Sequence, residues 1–134
     1  MVTPCKLKML ADREYRCFFE LTLQLMGGKW KPIIIYHLAI TGVMRFGELK
    51  RSIDGITERM LTRQLRELEK DGLVHRKIYR QVPPKVEYSL EPFGAKLIPI
   101  LLSMREWGVE YERHFSGDAH WSNDDLENQE TPEI

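Results

Sequence analysis

Between Thr57 and Gly72 the sequence TERMLTRQLRELEKDG sorts its residues onto two opposite edges, and this stretch constrains the fold more than any other. At about 100° per residue, Leu61, Leu65 and Leu68 fall within about 60° of arc, while Arg59, Arg63, Arg66 and Lys70 gather on the edge across from them. Such a helix is docked on its leucine side and basic on its free side. Thr57 is placed to accept a hydrogen bond from the open amides of the first turn, and Glu58 suits the positive end of the helix dipole. Asp71-Gly72 supplies the stop, because glycine enters the left-handed backbone region without a Cβ penalty.

The flanking segments give this helix a setting. Residues 45–53 carry Phe46, Leu49 and Ile53 at i, i+3 and i+7, one face of a second short helix, and Asp54-Gly55 breaks the chain between the two. Residues 73–79 and 86–90 are β-favouring runs joined by Arg80-Gln81-Val82-Pro83-Pro84-Lys85. In the second run Val86, Tyr88 and Leu90 alternate with Glu87 and Ser89, which predicts a hairpin. Its stem and tip carry Arg76, Lys77, Arg80 and Lys85, and two prolines without amide donors suit a projecting tip. Upstream, residues 15–26 hold Phe18, Leu21, Leu25, Phe19, Leu23 and Met26 at helical spacing, ending at Gly27-Gly28. Residues 33–40 are almost continuously apolar, so periodicity alone does not separate helix from strand. Pro32 at the first helical position and the polar His37 favour a short core helix.

Residues 93–115 are the other informative stretch. Leu97, Ile98, Leu101, Leu102, Met104, Trp107 and Tyr111 cover too wide a face for a helix packed on one neighbour, which implies a second partner surface. Pro99 must either kink this helix or lie near its start.

Length and charge set the outer bounds. A chain of 134 residues is one domain with an adequate core. No apolar run reaches the roughly 18 residues of a bilayer span, and residues 1–8 lack a signal-peptide pattern, so no membrane contact and a cytoplasmic location are expected. Twenty Lys plus Arg balance twenty Asp plus Glu, yet residues 1–28 hold four positives and three negatives, residues 29–85 thirteen and six, and residues 86–134 three and eleven. The balances of +1, +7 and −8 put a strongly basic middle before an acidic end, as when one surface faces a polyanion.

Order and chemistry together predict a mainly α fold with a small β-hairpin, a winged helix-turn-helix. The basic helix would enter the major groove of double-stranded DNA. Arg59 and Arg63 have the reach for guanine edges, Thr57, Thr62 and Gln64 for bases or phosphate, and Arg66 and Lys70 for the backbone. Lys77, Arg80 and Lys85 of the hairpin, with Lys29 and Arg45, complete the candidate DNA-binding set. Three other readings compete: a salt-bridged surface helix pairing Arg63 with Glu67, a winged-helix protein-interaction module, and a regulator whose small-molecule effector sits among Trp30, Tyr36 and Trp107. No enzyme motif is present, and His37, His75, His114 and His120 read as core or surface residues. Two cysteines and scattered histidines predict no metal and no cofactor.

The runs Cys17-Phe18-Phe19-Glu20, Leu25-Met26-Gly27-Gly28-Lys29-Trp30-Lys31, Arg45-Phe46-Gly47-Glu48-Leu49, the stretch from Ile56 to Val74, and Val82-Pro83-Pro84-Lys85-Val86-Glu87-Tyr88-Ser89-Leu90 resemble the HxlR family of bacterial transcriptional regulators. The resemblance covers roughly residues 17–107. It implies a sequence-specific DNA-binding homodimer built from the first and last helices, bound to an inverted-repeat operator. It also implies a recognition helix at 57–70 and a wing at 77–85. The expected layout is an N-terminal arm at 1–14, the winged-helix domain with its dimerisation helices at 15–115, and an acidic, mobile tail at 116–134.

In some family members that resemble this chain, a cysteine at the position of Cys17 senses oxidants or electrophiles. Here Phe18 stands where proline is common, and Cys5 is the only second thiol. Any bridge would join Cys17 to Cys17, Cys5 to Cys5, or one of each. Arg13 and Arg16 lie close in sequence and would favour a thiolate, while the opposing reading is an inert small apolar residue opening a core helix.

Overall fold

The computed structural model describes residues 6–116. Cys5, His120 and nearly all of the expected acidic tail lie outside the described residues. The element order is β1 (Lys8–Leu10), β2 (Arg13–Tyr15), α1 (Phe18–Met26), α2 (Trp30–Thr41), β3 (Met44–Arg45), α3 (Phe46–Ser52), α4 (Glu58–Lys70), β4 (Val74–Tyr79), β5 (Lys85–Leu90), α5 (Pro92–Ala95) and α6 (Ile98–Ser116). Among the described residues no helix is long and apolar enough to cross a membrane.

Helix α2 is the hub. Ile34, Ile35 and Leu38 are fully buried, and Ile33, Tyr36 and Trp30 pack partly against the same core. A helix buried on most of its circumference has little amphipathic contrast, which is why its apolar run did not disclose its type. It begins at Trp30 rather than at Pro32. Pro32 is tolerated in third position because the first-turn amides have no intrahelical acceptor to lose.

Helices α3 and α4 and the connection between them close over the hub through Leu49, Ile53, Ile56, Leu61, Leu65 and Leu68, all buried. The bounds of α4 are those the periodicity gave, and Thr57 Oγ1 accepts from the Met60 amide at 3.1 Å. At the other end Gly72 takes φ +76°, and the Leu73 amide returns to the Leu68 carbonyl at 3.0 Å. Glycine suits that conformation best.

The hairpin is part of a three-stranded antiparallel sheet in the order β3-β5-β4. Met44 pairs with Tyr88 and Arg45 with Glu87. Arg45, expected to open the helix over 45–53, is instead the second residue of β3, since a two-residue strand carries no detectable alternation. The N-terminal arm, to which the sequence assigns no element, holds a second antiparallel ribbon of Lys8–Leu10 and Arg13–Tyr15, so Tyr15 belongs to a strand and not to the helix expected over 15–26. Two three-residue strands joined by Ala11-Asp12 leave no periodic signal to read.

Helix α6 starts at Ile98 with Pro99 in its first turn, after the separate short helix α5. Leu101 is its only buried residue, contributed to the common core. Ile100, Met104, Trp107, Tyr111 and Phe115 all remain exposed, and Phe18, Phe19 and Leu23 of α1 do as well. The 100, 104, 107, 111, 115 spacing is a single stripe along the helix.

Candidate nucleic-acid interface

The outer face of α4 is an open trough lined by Glu58, Arg59, Thr62, Arg63, Arg66 and Glu67. Burial of Leu61, Leu65 and Leu68 fixes the rotation of the helix, so the opposite edge must face outward. Arg59, Arg63 and Arg66 are all exposed. Arg63 holds only a long contact to Glu67, Nε to Oε2 at 3.9 Å, and its side chain is 72% exposed. The expected Arg63–Glu67 pair is therefore present but leaves the guanidinium on the surface. Glu67 is also met by the nearly buried Lys31 at 3.7 Å, which ties α4 to α2.

Three expected residues sit differently from the arginine file. Gln64 lies to one side, half-buried, its amide donating to Met60 Sδ at 3.5 Å. Thr57 Oγ1 accepts the cap hydrogen bond from the Met60 amide, which leaves its O–H as a donor. Lys70, at the far end, reaches Asp12 of the β1–β2 turn at 3.9 Å.

The wing gathers Lys77, Lys85 and Glu87 on one face of the sheet, because residues paired across an antiparallel ladder share a side. Lys77 opposes Glu87, and Tyr79 opposes Lys85. The Tyr79 hydroxyl donates to Glu87 Oε1 at 2.6 Å, and Lys85 Nζ lies 3.5 Å from Glu87 Oε2. Lys77 and Lys85 stand over the Tyr79 ring, 4.7 and 4.6 Å from its centroid. The Tyr79 hydrogen bond, helped by the charges of Lys85 and Arg45 against some desolvation, holds the Glu87 carboxyl below its ordinary range. Lys77 and Lys85 are thus organised around Tyr79 and Glu87, whereas Arg80 is exposed at the tip beside Val82, which is 99% exposed. Lys29 occupies the N-cap position of α2 without capping it through its side chain, its ammonium 4.4 Å from the Trp30 ring centroid, and Arg45 joins α3 to the sheet edge.

Arg76, expected on the hairpin stem, is not among the candidate DNA-binding residues of the sequence. It opposes Tyr88, so it lies on the sheet face that meets the helices, and it lines a cleft with Arg66. The alternation of β5 held that signal, since the partner of a buried tyrosine must point the same way.

Cys17 occupies the N-cap position of α1, and its carbonyl accepts from the Leu21 amide at 3.1 Å. The two arginines expected to attend the thiol are engaged elsewhere: Arg13 pairs with Asp71 at 2.9 Å and Arg16 with Glu20 at 3.7 Å. Trp30 and Tyr36 pack against the core, but Trp107 is exposed and stacks on Tyr111 at 5.2 Å between centroids. Within one chain Trp107 is no wall of an enclosed effector pocket. Among the described residues no group of His, Cys, Asp and Glu is placed to hold a metal ion.

Comparison with known proteins places these features in a family. The HxlR-like helix-turn-helix family matches residues 25–115. The HTH-type transcriptional regulator YdeP of Bacillus subtilis (strain 168) is 56% identical over 96 residues, 72% of this chain and 74% of YdeP. The redox regulator HypR in its oxidised form is 61% identical with a TM-score of 0.65, over 69% of this chain and 94% of HypR. Its reduced form is 57% identical with a TM-score of 0.67, over 74% and 96%.

Proposed function

Because the chain belongs to the HxlR-like helix-turn-helix family of DNA-binding transcriptional regulators, we propose that it acts in the cytoplasm as a homodimer on an inverted-repeat operator, by binding rather than by catalysis. One observation carries the reading of the site: the exposed file of Arg59, Arg63 and Arg66 stands directly opposite a wholly buried leucine edge. In this arrangement α4 lies in the major groove, Arg59 and Arg63 read base edges, and Arg80 at the wing tip follows the backbone or the minor groove. The stripe from Ile100 to Phe115, with Phe18, Phe19 and Leu23, is covered by a second copy. Five large apolar side chains in line on one exposed helix face are costly to leave in water. A two-fold axis then sets the two recognition helices about 34 Å apart, one turn of duplex.

Cys17 is the group through which oxidation bears on DNA affinity in this reading. Support comes from the likeness to HypR, a redox regulator solved in oxidised and reduced forms, and from the position of Cys17 at the head of α1, beside the proposed dimer surface.

The test is fluorescence anisotropy of the purified chain on promoter duplexes across a salt series, with and without peroxide or a quinone. DNA binding gives a log-log slope of about −0.9 per phosphate neutralised, and an apolar protein interface does not. Oxidant should shift affinity for the wild type and not for Cys17→Ser. Unchanged affinity on protein whose Cys17 is shown by mass spectrometry to be modified removes the sensing role.

A further inference from the structure

A cleft of about 400 Å³ opens between α4 and the wing sheet, lined by Phe46, Thr62, Leu65, Arg66, Glu69, Arg76 and Tyr88. Arg66 comes from the helix and Arg76 from the central part of β4. Among the described residues neither guanidinium has a carboxylate within 4.0 Å, although Glu69 stands on the same rim. Two like charges that outnumber the one carboxylate of their cleft, and pair with none, are arranged for an anion from outside. Guanidinium is the group whose planar fork matches the oxygens of a phosphate.

Position identifies the source of that anion. A protein with its helix in the major groove and its hairpin at the adjacent minor groove must straddle the sugar-phosphate strand that divides the two grooves. The cleft lies between those two elements. Its lining charges, two arginines and one glutamate, sum to a single positive charge, which suits a singly charged phosphodiester. We propose that this cleft seats one backbone phosphate, gripped jointly by Arg66 and Arg76, with the Thr62 hydroxyl as an additional donor. The proposal rests on the DNA-binding reading above and adds Arg76 to it as a binding residue.

The experiment uses the full chain and a fluorescein-labelled mixed-sequence duplex, with Arg66→Met, Arg76→Met and the double variant followed across a salt series. Each single variant should weaken binding about tenfold. The double variant should lose about 0.9 of log-log slope per protomer, the value for one phosphate, because the two arginines share it. A loss of about 1.8 per protomer would assign each arginine its own phosphate and overturn the shared seat. Unchanged affinity in Arg76→Met, with the thermal melt intact, overturns it too. Arg76→Lys, which keeps the charge and loses the fork, should retain the slope at reduced affinity. A wild type without salt-dependent binding would instead defeat the DNA reading, and the proposal with it. Inorganic phosphate, exchanged for chloride at constant ionic strength, should not displace the duplex selectively. If it displaces wild type but not the double variant, the cleft is a free-anion site instead.

Discussion

Arg13 Nη2 donates to Asp71 Oδ1 at 2.9 Å, joining residues 58 positions apart in the chain. Asp71 is the C-cap of α4 and its side chain is 12% exposed, so the contact fastens the β1–β2 ribbon to the end of the arginine-bearing helix. Removing one partner strands a largely buried charge. Arg13→Ala should therefore lower unfolding stability by about 1–3 kcal/mol, seen as a lower urea midpoint at unchanged slope. Asp71→Asn keeps an acceptor oxygen and should lose less.

Gly94 of α5 packs against the Leu73 backbone so closely that a Cβ would overlap the Leu73 carbonyl oxygen. That oxygen also accepts from the Glu91 amide at 3.0 Å, so it is not free to move aside. Gly94→Ala should cost about 1–3 kcal/mol through overpacking. A thermal melt within a degree of wild type would contradict the packing described.

The acid limb of stability should carry the mark of Glu87. Its carboxyl is held below its ordinary range when folded, first by the Tyr79 hydroxyl and then by Lys85 and Arg45. A depressed native value means that the stabilisation is complete above the ordinary carboxylate range. It is lost as pH falls through the lower native value. Wild type should thus exceed Glu87→Gln at neutral pH, and the gap should close on acidification. In NMR titration, Tyr79→Phe should move the Glu87 midpoint upward.

For Arg63, exposed on the α4 trough, replacement by Ala should weaken operator binding by about 1–3 kcal/mol and relax preference at one base position. Lys85→Ala should weaken all sequences alike. Base-by-base competition would show the difference, and an Arg63→Ala profile identical to wild type would remove its reading role.

Trp107, Tyr111 and Phe115 form a continuous exposed stack, with successive centroids 5.2 and 4.6 Å apart. Trp107→Glu puts a charge on that surface and, if the proposed second copy covers it, should leave the protein a monomer in analytical ultracentrifugation where the wild type sediments as a dimer. DNA affinity should fall with it, since one half-site then binds without its twin. A variant that still sediments as a dimer would place the subunit contact elsewhere.

Where residues repeat with the period of a helix against a single core, the sequence was sufficient. Leu61, Leu65 and Leu68 set the docked side of α4, and the arginines opposite them had nowhere to go but outward. The hairpin was legible for the same reason, through the alternation of Val86, Tyr88 and Leu90. Helix α2 was half-legible: burial around most of its girth erased the contrast from which periodicity is read. The short strands Met44–Arg45, Lys8–Leu10 and Arg13–Tyr15 were not, being too brief to show any period.

The chain's own pattern thus decided which face of α4 is basic and where that helix starts and stops, because capping and 3.6-residue periodicity act within a few residues of one another. Which charges stay free was decided by packing across elements. Arg13 turns to Asp71, Lys70 to Asp12 and Lys31 to Glu67, while Arg66 and Arg76 are brought to one cleft where, among the described residues, no carboxylate comes within ion-pair distance of either, Glu69 on the rim included. An ion pair needs two groups within about 4 Å, and for residues tens of positions apart only the folded core sets that distance.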